Sequence, residues 1–179
     1  GARVASPTLS GVIHVATLYW AKQEGVDPAS INGVQVPPPN LPDQLTSGQV
    51  DAVEALEPFA SQLVANGNVS LGDPFAAIGL PLATNFWVAN GEWARQNTEA
   101  VASFRRSLEQ ALEFLESNEQ ESRAILQGFT EMPPQVAERV PLPTFDLEIR
   151  TQDLATWMDV MSELGEEVSA DPEDLVMTE

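Results

Sequence analysis

The chain has 179 residues, 43% of them hydrophobic and 20% charged, which suits a packed domain and excludes a disordered tail. Its 8 basic and 27 acidic residues give a formal charge of -19, so nucleic-acid backbones and anionic membranes are repelled and no nucleic-acid partner is expected. The absence of cysteine removes disulfides, thiolate nucleophiles and cysteine-held metal sites together.

Lys22 is the one lysine, a composition that suits either a salt-rich habitat or simply a solubilising surface. The richest apolar stretch, Val12 to Ala21, is interrupted by His14 and Thr17 and falls short of the roughly 18 residues a membrane helix needs, so no transmembrane segment is expected. The residues from Gly1 onward show neither an initiating methionine nor a charged-then-apolar leader, so any signal peptide is expected outside them.

The first half alternates strand-like and helical patterns. Arg3 to Ser6 predicts a buried strand, Pro7 to Gly11 a turn, and Val12 to Glu24 a helix closed by Gly25, which can adopt left-handed geometry. Gly33 to Val36 predicts a second strand, with a short helix from Leu41 to Ser47 stopped by Gly48. Val50 to Leu56 predicts a third strand, and Pro58 fits the first turn of a helix running to Ala65. Repeated βα units with short connections predict an α/β fold with a mainly parallel sheet.

Between Val69 and Leu82 the glycines and prolines at 72, 74, 79 and 81 predict a crossover or hinge. Asn85 to Ala89 predicts a return strand, and mostly helices follow. From Glu99 to Glu116, Val101, Phe104, Leu108, Ala111, Leu112 and Leu115 recur at helical spacing, which predicts one stripe facing a core. Further helices are expected at Glu119 to Leu126, Pro134 to Arg139 and Thr151 to Leu164, the last with Leu154, Trp157, Met158 and Met161 inward.

The junction Ser6-Pro7-Thr8-Leu9-Ser10-Gly11 is the first candidate site. A βα junction in a parallel sheet directs helix N–H groups and the helix dipole at the carboxyl edge of the strands, which favours an anionic group. Thr8 and Ser10 add hydroxyls and Gly11 permits close approach; the competing reading is that Ser10 only caps its own helix. Glu57, at the tip of the third strand, can accept from an amine or aminopyrimidine edge, or only complement a helix dipole. Asn85 and Trp87 are candidates from the return strand, Trp87 either stacking on a planar ligand or filling the core. Ser6, Leu9, His14 and Phe86 are secondary candidates. Tyr19 and Trp20 read as core. His14 is the sole histidine, so a histidine-pair metal site and a serine triad are not expected. A hydroxyl-bearing anion seat beside an acid suits a zwitterion or a heterocycle with donors and acceptors better than an inorganic anion.

The runs GARVASPTLSGVIHVATLYWAKQEGVDP, LPDQLTSGQVDAVEALEPF, NFWVANGEWARQNTEAVASFRRSLEQALEF and PTFDLEIRTQDLATWMDVMSELG resemble the nitrate/sulfonate/taurine-type substrate-binding proteins of ABC transporters, a group that includes binders of thiamine-pyrimidine precursors. The most specific element is Ser47-Gly48-Gln49-Val50-Asp51-Ala52 followed by Leu56-Glu57-Pro58-Phe59. The resemblance implies a type II periplasmic-binding-protein-like, bilobed fold, with residues 1–72 as the second α/β lobe, 73–82 as a crossover and 83–179 completing the first lobe. It further implies a chain lacking the first lobe's opening segment, a periplasmic or extracellular protein with or without a lipid anchor, a monomer when complete, and delivery of a small solute to permease subunits without enzymatic activity or cofactor. Ligand is held in such relatives at the loop carrying Thr8 and Ser10. Two rival readings remain at this stage. One is the effector-sensing domain of a transcription regulator, which uses a similar two-lobe fold. The other is a thiamine-pyrimidine synthase-like enzyme, whose cysteine-rich motif is missing here.

Overall fold

A computed structural model describes residues 1–130 and 132–177. Strands β1 (Arg3–Ser6), β2 (Asn32–Gln35) and β3 (Ala52–Val53) form a parallel sheet in the order β2-β1-β3. Val4 stands beside Gly33 on one side and Ala52 on the other, and Ala5 beside Val34 and Val53. Helix α1 (Val12–Gln23) links β1 to β2, α2 (Leu41–Thr46) links β2 to β3, and α3 (Phe59–Ala65) follows β3.

The helix stops follow the backbone chemistry of glycine. Gly25 and Gly48 have φ of 78° and 69°. In each case the residue after the glycine bonds back five positions, Val26 to Ala21 and Gln49 to Gln44, which satisfies carbonyls that a helix end otherwise leaves open. Val50 also donates to Gln44, so β3 begins later than the expected Val50. The ladder against β1 runs from Asp51, donating to Arg3, to Glu54, donating to Ala5, and then meets the end of β1. Beyond it Pro58 has no N–H to continue a ladder.

Side-chain alternation assigns the two faces of the sheet. Ala5, Val36, Leu41 and Val50 form a buried cluster with Val34, Leu45, Val53 and Ala55 on the face covered by α2. Ser6 and Glu54 alternate with Ala5 and Val53 and so lie on the opposite face, where α1 buries Ile13, His14 and Ala16. Tyr19 and Trp20 are half-buried rather than core, and Trp20 lies against the backbone at Gly72.

The second half contains α4 (Gly91–Gln96), α5 (Thr98–Ser117), α6 (Glu119–Thr130), α7 (Pro134–Ala137), α8 (Thr151–Glu163) and α9 (Pro172–Leu175). The Asn90 side chain caps α4 by accepting from Trp93 at 3.0 Å. Met132, Ala137 and Val140 form a second small core with Leu126 and Val136. Arg123 on α6 fixes the chain there by donating to the carbonyls of Ala137 and Val140 at 3.0 and 2.9 Å. Helix α8 returns to the α/β layer. Lys22 donates to the carbonyl of Glu163, Trp157 Nε1 donates to Ala83 at 2.7 Å, and Phe75 meets Trp157 edge-on at 6.4 Å. Leu154, Trp157, Met158 and Met161 are half-buried, and Val160 is the buried residue of that helix.

Three expectations are corrected here. Asn85 to Ala89 forms no strand: among the described residues no strand lies beside it, so its backbone has no ladder to join. Trp87 is 72% exposed, touching Phe104 edge-on at 5.2 Å, so it is not core. The stripe of α5 likewise faces no core, since none of the residues of that helix is buried. Its periodicity reports an apolar face that is only half-covered, Phe104 meeting the exposed Trp87 and Val101, Leu108, Leu112 and Leu115 remaining half-buried.

Candidate functional site

The turn from Pro7 to Gly11 leaves the carboxyl end of the central strand. Ser6, fully buried, donates its hydroxyl to the Thr8 carbonyl at 3.0 Å, and the Gly11 N–H donates to the same oxygen at 3.2 Å, which ties the turn on both sides. Gly11, rather than Ser10, is the N-cap of α1, in extended geometry (φ -86°, ψ 159°), and no side chain caps the helix. The glycine is a matter of space, because a Cβ there would fall 2.4 Å from Thr8 Cγ2.

With no side-chain cap, the N–H groups of Val12, Ile13 and His14 have no acceptor among the described residues. The first turn of α1 also carries no acidic residue, while Lys22 occupies its last turn. The Thr8 and Ser10 hydroxyls lie 3.4 Å apart in the turn that leads into this helix. Helix dipole, open donors and two hydroxyls are therefore held within one short stretch, Thr8 to His14, a chemistry that suits a small anionic group. Leu9 folds back over β2, where a Cβ on Gly33 would come within 2.8 Å of its Cδ2.

The neighbouring strand ends share this edge: Val36 donates to the Ser6 carbonyl at 2.9 Å and Glu54 to the Ala5 carbonyl at 2.7 Å. Just past β3, the Glu54 carboxylate lies on the α1 face and shares a 2.9 Å hydrogen bond between its Oε1 and His14 Nδ1. Both side chains are buried, 4% and 8% exposed, and Glu54 Oε2 has no partner among the described residues. Glu54 is absent from the candidates named from the sequence. The available signal was a charged residue inside the apolar run Val53-Glu54-Ala55-Leu56, together with a lone histidine on the covered face of α1.

Glu57 is exposed and accepts from the Ser61 N–H at 3.1 Å and the Ser61 hydroxyl at 2.9 Å, which caps α3. Asn85 is exposed and donates to Thr84 Oγ1 at 3.0 Å. Phe86 is half-buried and Trp87 exposed. Ser6, Thr8, Leu9, Ser10, Gly11 and His14 thus belong to one constellation, with Glu57 on an adjacent connection. Among the described residues no hydrogen bond links Asn85 or Trp87 to that turn. At the opposite edge of the sheet Arg3 holds Asp51 at 2.9 Å and lowers its pKa to about 2. No group of three His, Asp or Glu side chains among the described residues is arranged to hold a metal ion.

A sequence profile of the NMT1-like family matches residues 1–127, more than half of the chain. The chain belongs to that family. Among solved structures, it is similar to the periplasmic aliphatic sulphonate binding protein SsuA from Escherichia coli, with a TM-score of 0.77 at 20% identity over 98% of this chain and 62% of that one. It is also similar to the alkanesulfonate-binding protein SsuA from Xanthomonas axonopodis pv. citri bound to MOPS, with a TM-score of 0.71 at 22% identity over 92% of this chain and 56% of that one. The NMT1-like chain therefore spans about three fifths of the length of these structures. No curated protein sequence matches it. At these identities the likeness is one of fold, and the α/β, periplasmic-binding-protein-like class expected from the sequence is the class observed. No helix among the described residues is long and apolar enough to cross a membrane.

Proposed function

We propose that this NMT1-like chain is part of an extracytoplasmic solute-binding protein that captures a small organic solute and delivers it to the permease of an ABC importer. The observation that carries this is the uncapped first turn of α1, whose N–H groups stay open after the turn carrying the Thr8 and Ser10 hydroxyls at the carboxyl edge of a parallel sheet. The fold shared with two proteins described as sulfonate binders supports an anionic group in the ligand, a sulfonate or a nitrate-like anion, or the polar edge of an aminopyrimidine-type heterocycle.

In this reading residues 1–72 form one lobe, 73–82 a crossover, and 83–179 contribute to the other lobe, with ligand closing the two together through contacts made only in the closed state. Thr8, Ser10 and Gly11 seat the anionic group. Glu57 keeps acceptor positions free at the rim after capping α3. Asn85 and Trp87 approach from the crossover side, the exposed indole being free to stack on a planar solute.

The test is a thermal-shift screen of the full gene product against sulfonates, nitrate, aminopyrimidines and small aromatic acids. A ligand of the native state raises its melting temperature. Thr8→Val with Ser10→Ala is expected to weaken the responding ligand by about tenfold, the loss of a hydrogen bond to a charged group. No shift with any of the four classes overturns the reading.

A further inference from the structure

We infer that α8 braces the crossover against α1, so that the sheet, α1, the crossover as far as Ala83, and α8 with α9 move as one body, and the lobes bend at two connections, 84–90 and 141–150. The two-lobe capture proposed above is presupposed; what changes is where the chain bends and with which lobe its C-terminal helices travel.

The crossover is held on both sides. On one side the turn Pro74–Ala77 packs along α1, and just before it the Trp20 ring lies so close to Gly72 that an added Cβ would fall 2.9 Å from Trp20 Cη2. On the other side Trp157 of α8 meets Phe75 edge-on at 6.4 Å and donates its Nε1 hydrogen to the Ala83 carbonyl at 2.7 Å. Helix α8 is fixed in turn to the far end of α1, where Lys22 donates to the Glu163 carbonyl and Gln23 to the Glu163 carboxylate at 3.4 Å. Val160 of α8 is buried, and α9 packs on α8. A segment packed between two helices and tied by an indole hydrogen bond cannot change its backbone dihedrals without breaking those contacts, whereas a hinge absorbs such changes freely.

The two connections have the opposite character. Residues 84–90 and 141–150 have no regular secondary structure, and every residue in them except Thr84 and Phe86 is exposed. Between them α4 packs on α5, α5 on α6 and α6 on α7, and among the described residues none of the four packs closely on the sheet, α1 or α8. Among the described residues one hydrogen bond crosses between the two sets, from Arg105 of α5 to the Met177 carbonyl at 3.1 Å. Few contacts to break and an exposed backbone make these connections the segments that bend at least cost. The Pro7 to Gly11 turn at the start of α1 therefore shares a rigid body with α8 and α9, and closure moves α4 to α7 relative to it.

The experiment is pulsed double electron–electron resonance on the full gene product, with spin labels on introduced cysteines; this chain has no cysteine of its own to compete for label. Asp43→Cys on α2, Asp159→Cys on α8 and Glu113→Cys on α5, all exposed positions, are combined two at a time. The Asp43–Asp159 pair is expected to give a narrow distance distribution. Both pairs that include Glu113 are expected to be broader than it by more than about 2 Å, the scale of a domain rearrangement. A narrow Asp159–Glu113 distribution beside a broad Asp43–Asp159 one places α8 with α5 and overturns the inference, while two-lobe capture stands. Three narrow or three broad distributions overturn it as well, and the thermal screen decides solute capture independently of all of them. Trp157→Ala is expected to broaden the Asp43–Asp159 distribution by about 2 Å or more, and an unchanged width in the folded variant overturns the bracing by α8. Should that variant not fold, Trp157→Phe, which loses the Nε1 donor, is expected to broaden it in part; no change overturns the same point.

Discussion

His14 Nδ1 and Glu54 Oε1 meet at 2.9 Å beneath the first turn of α1, and they join the helix to the end of β3 through two side chains almost wholly removed from water. Removing one member of such a buried pair strands the other. His14→Ala is expected to destabilise the protein by about 3 kcal/mol, whereas His14→Leu with Glu54→Leu recovers most of that loss. Urea denaturation of the three proteins checks this; a single-variant loss within about 0.5 kcal/mol contradicts it.

Gly11 is expected to resist even alanine. The added methyl would overlap Thr8 Cγ2, so the turn must open or Thr8 must move. Gly11→Ala should cost about 1 kcal/mol, the low end of an overpacking loss because exposed Thr8 can rotate away, and weaken the anionic ligand as the Thr8 hydroxyl shifts. Thermal unfolding and ligand titration on the same preparation read both effects.

Glu57 combines two tasks that a substitution series separates. Glu57→Ala removes the acceptor for Ser61 and is expected to cost about 1 kcal/mol through loss of the α3 cap. Glu57→Gln keeps an acceptor, so stability stays near that of the parent. Any change in affinity for amino-bearing ligands then reports a direct contact, expected to be about threefold because an exposed carboxylate is screened. Unchanged affinity for every ligand assigns Glu57 to the cap alone.

The pH dependence of stability is expected to carry a contribution from Asp51. Its pKa falls from 3.8 to about 2 in the folded chain, chiefly through its hydrogen bonds from Arg3. Below 3.8 the unfolded chain takes up this proton more readily than the folded one, so the contribution is complete above that pH and is lost as pH falls towards 2. Asp51→Asn should flatten the melting-temperature profile between those values and leave it parallel to the parent above them.

Much of the first half was legible in the sequence. The βα alternation, the stops at Gly25 and Gly48, and the hydroxyl-bearing turn all follow from local chemistry: apolar periodicity, the left-handed tolerance of glycine, and serine and threonine at a strand end. The four quoted motifs pointed to the substrate-binding group, and the family match falls on residues 1–127. The errors lie where a local pattern needs a distant partner. Phe86, Trp87 and Val88 have high strand propensity, but a strand exists only where another backbone pairs with it, and Trp87 stands in the open. The stripe on α5 has the right spacing and no buried residue.

The sequence by itself determined the parallel α/β unit and the place of the turn, because strand length, helix period and glycine stops are set by residues close together in the chain. Only the tertiary structure decided that Gly11 caps α1 without a side chain, that Glu57 is engaged with Ser61, and that Glu54 is the buried acid beside His14. The last two residues are separated by 40 positions, and nothing local brings them together; their meeting depends on β3 pairing beside β1 and on α1 folding over that pair.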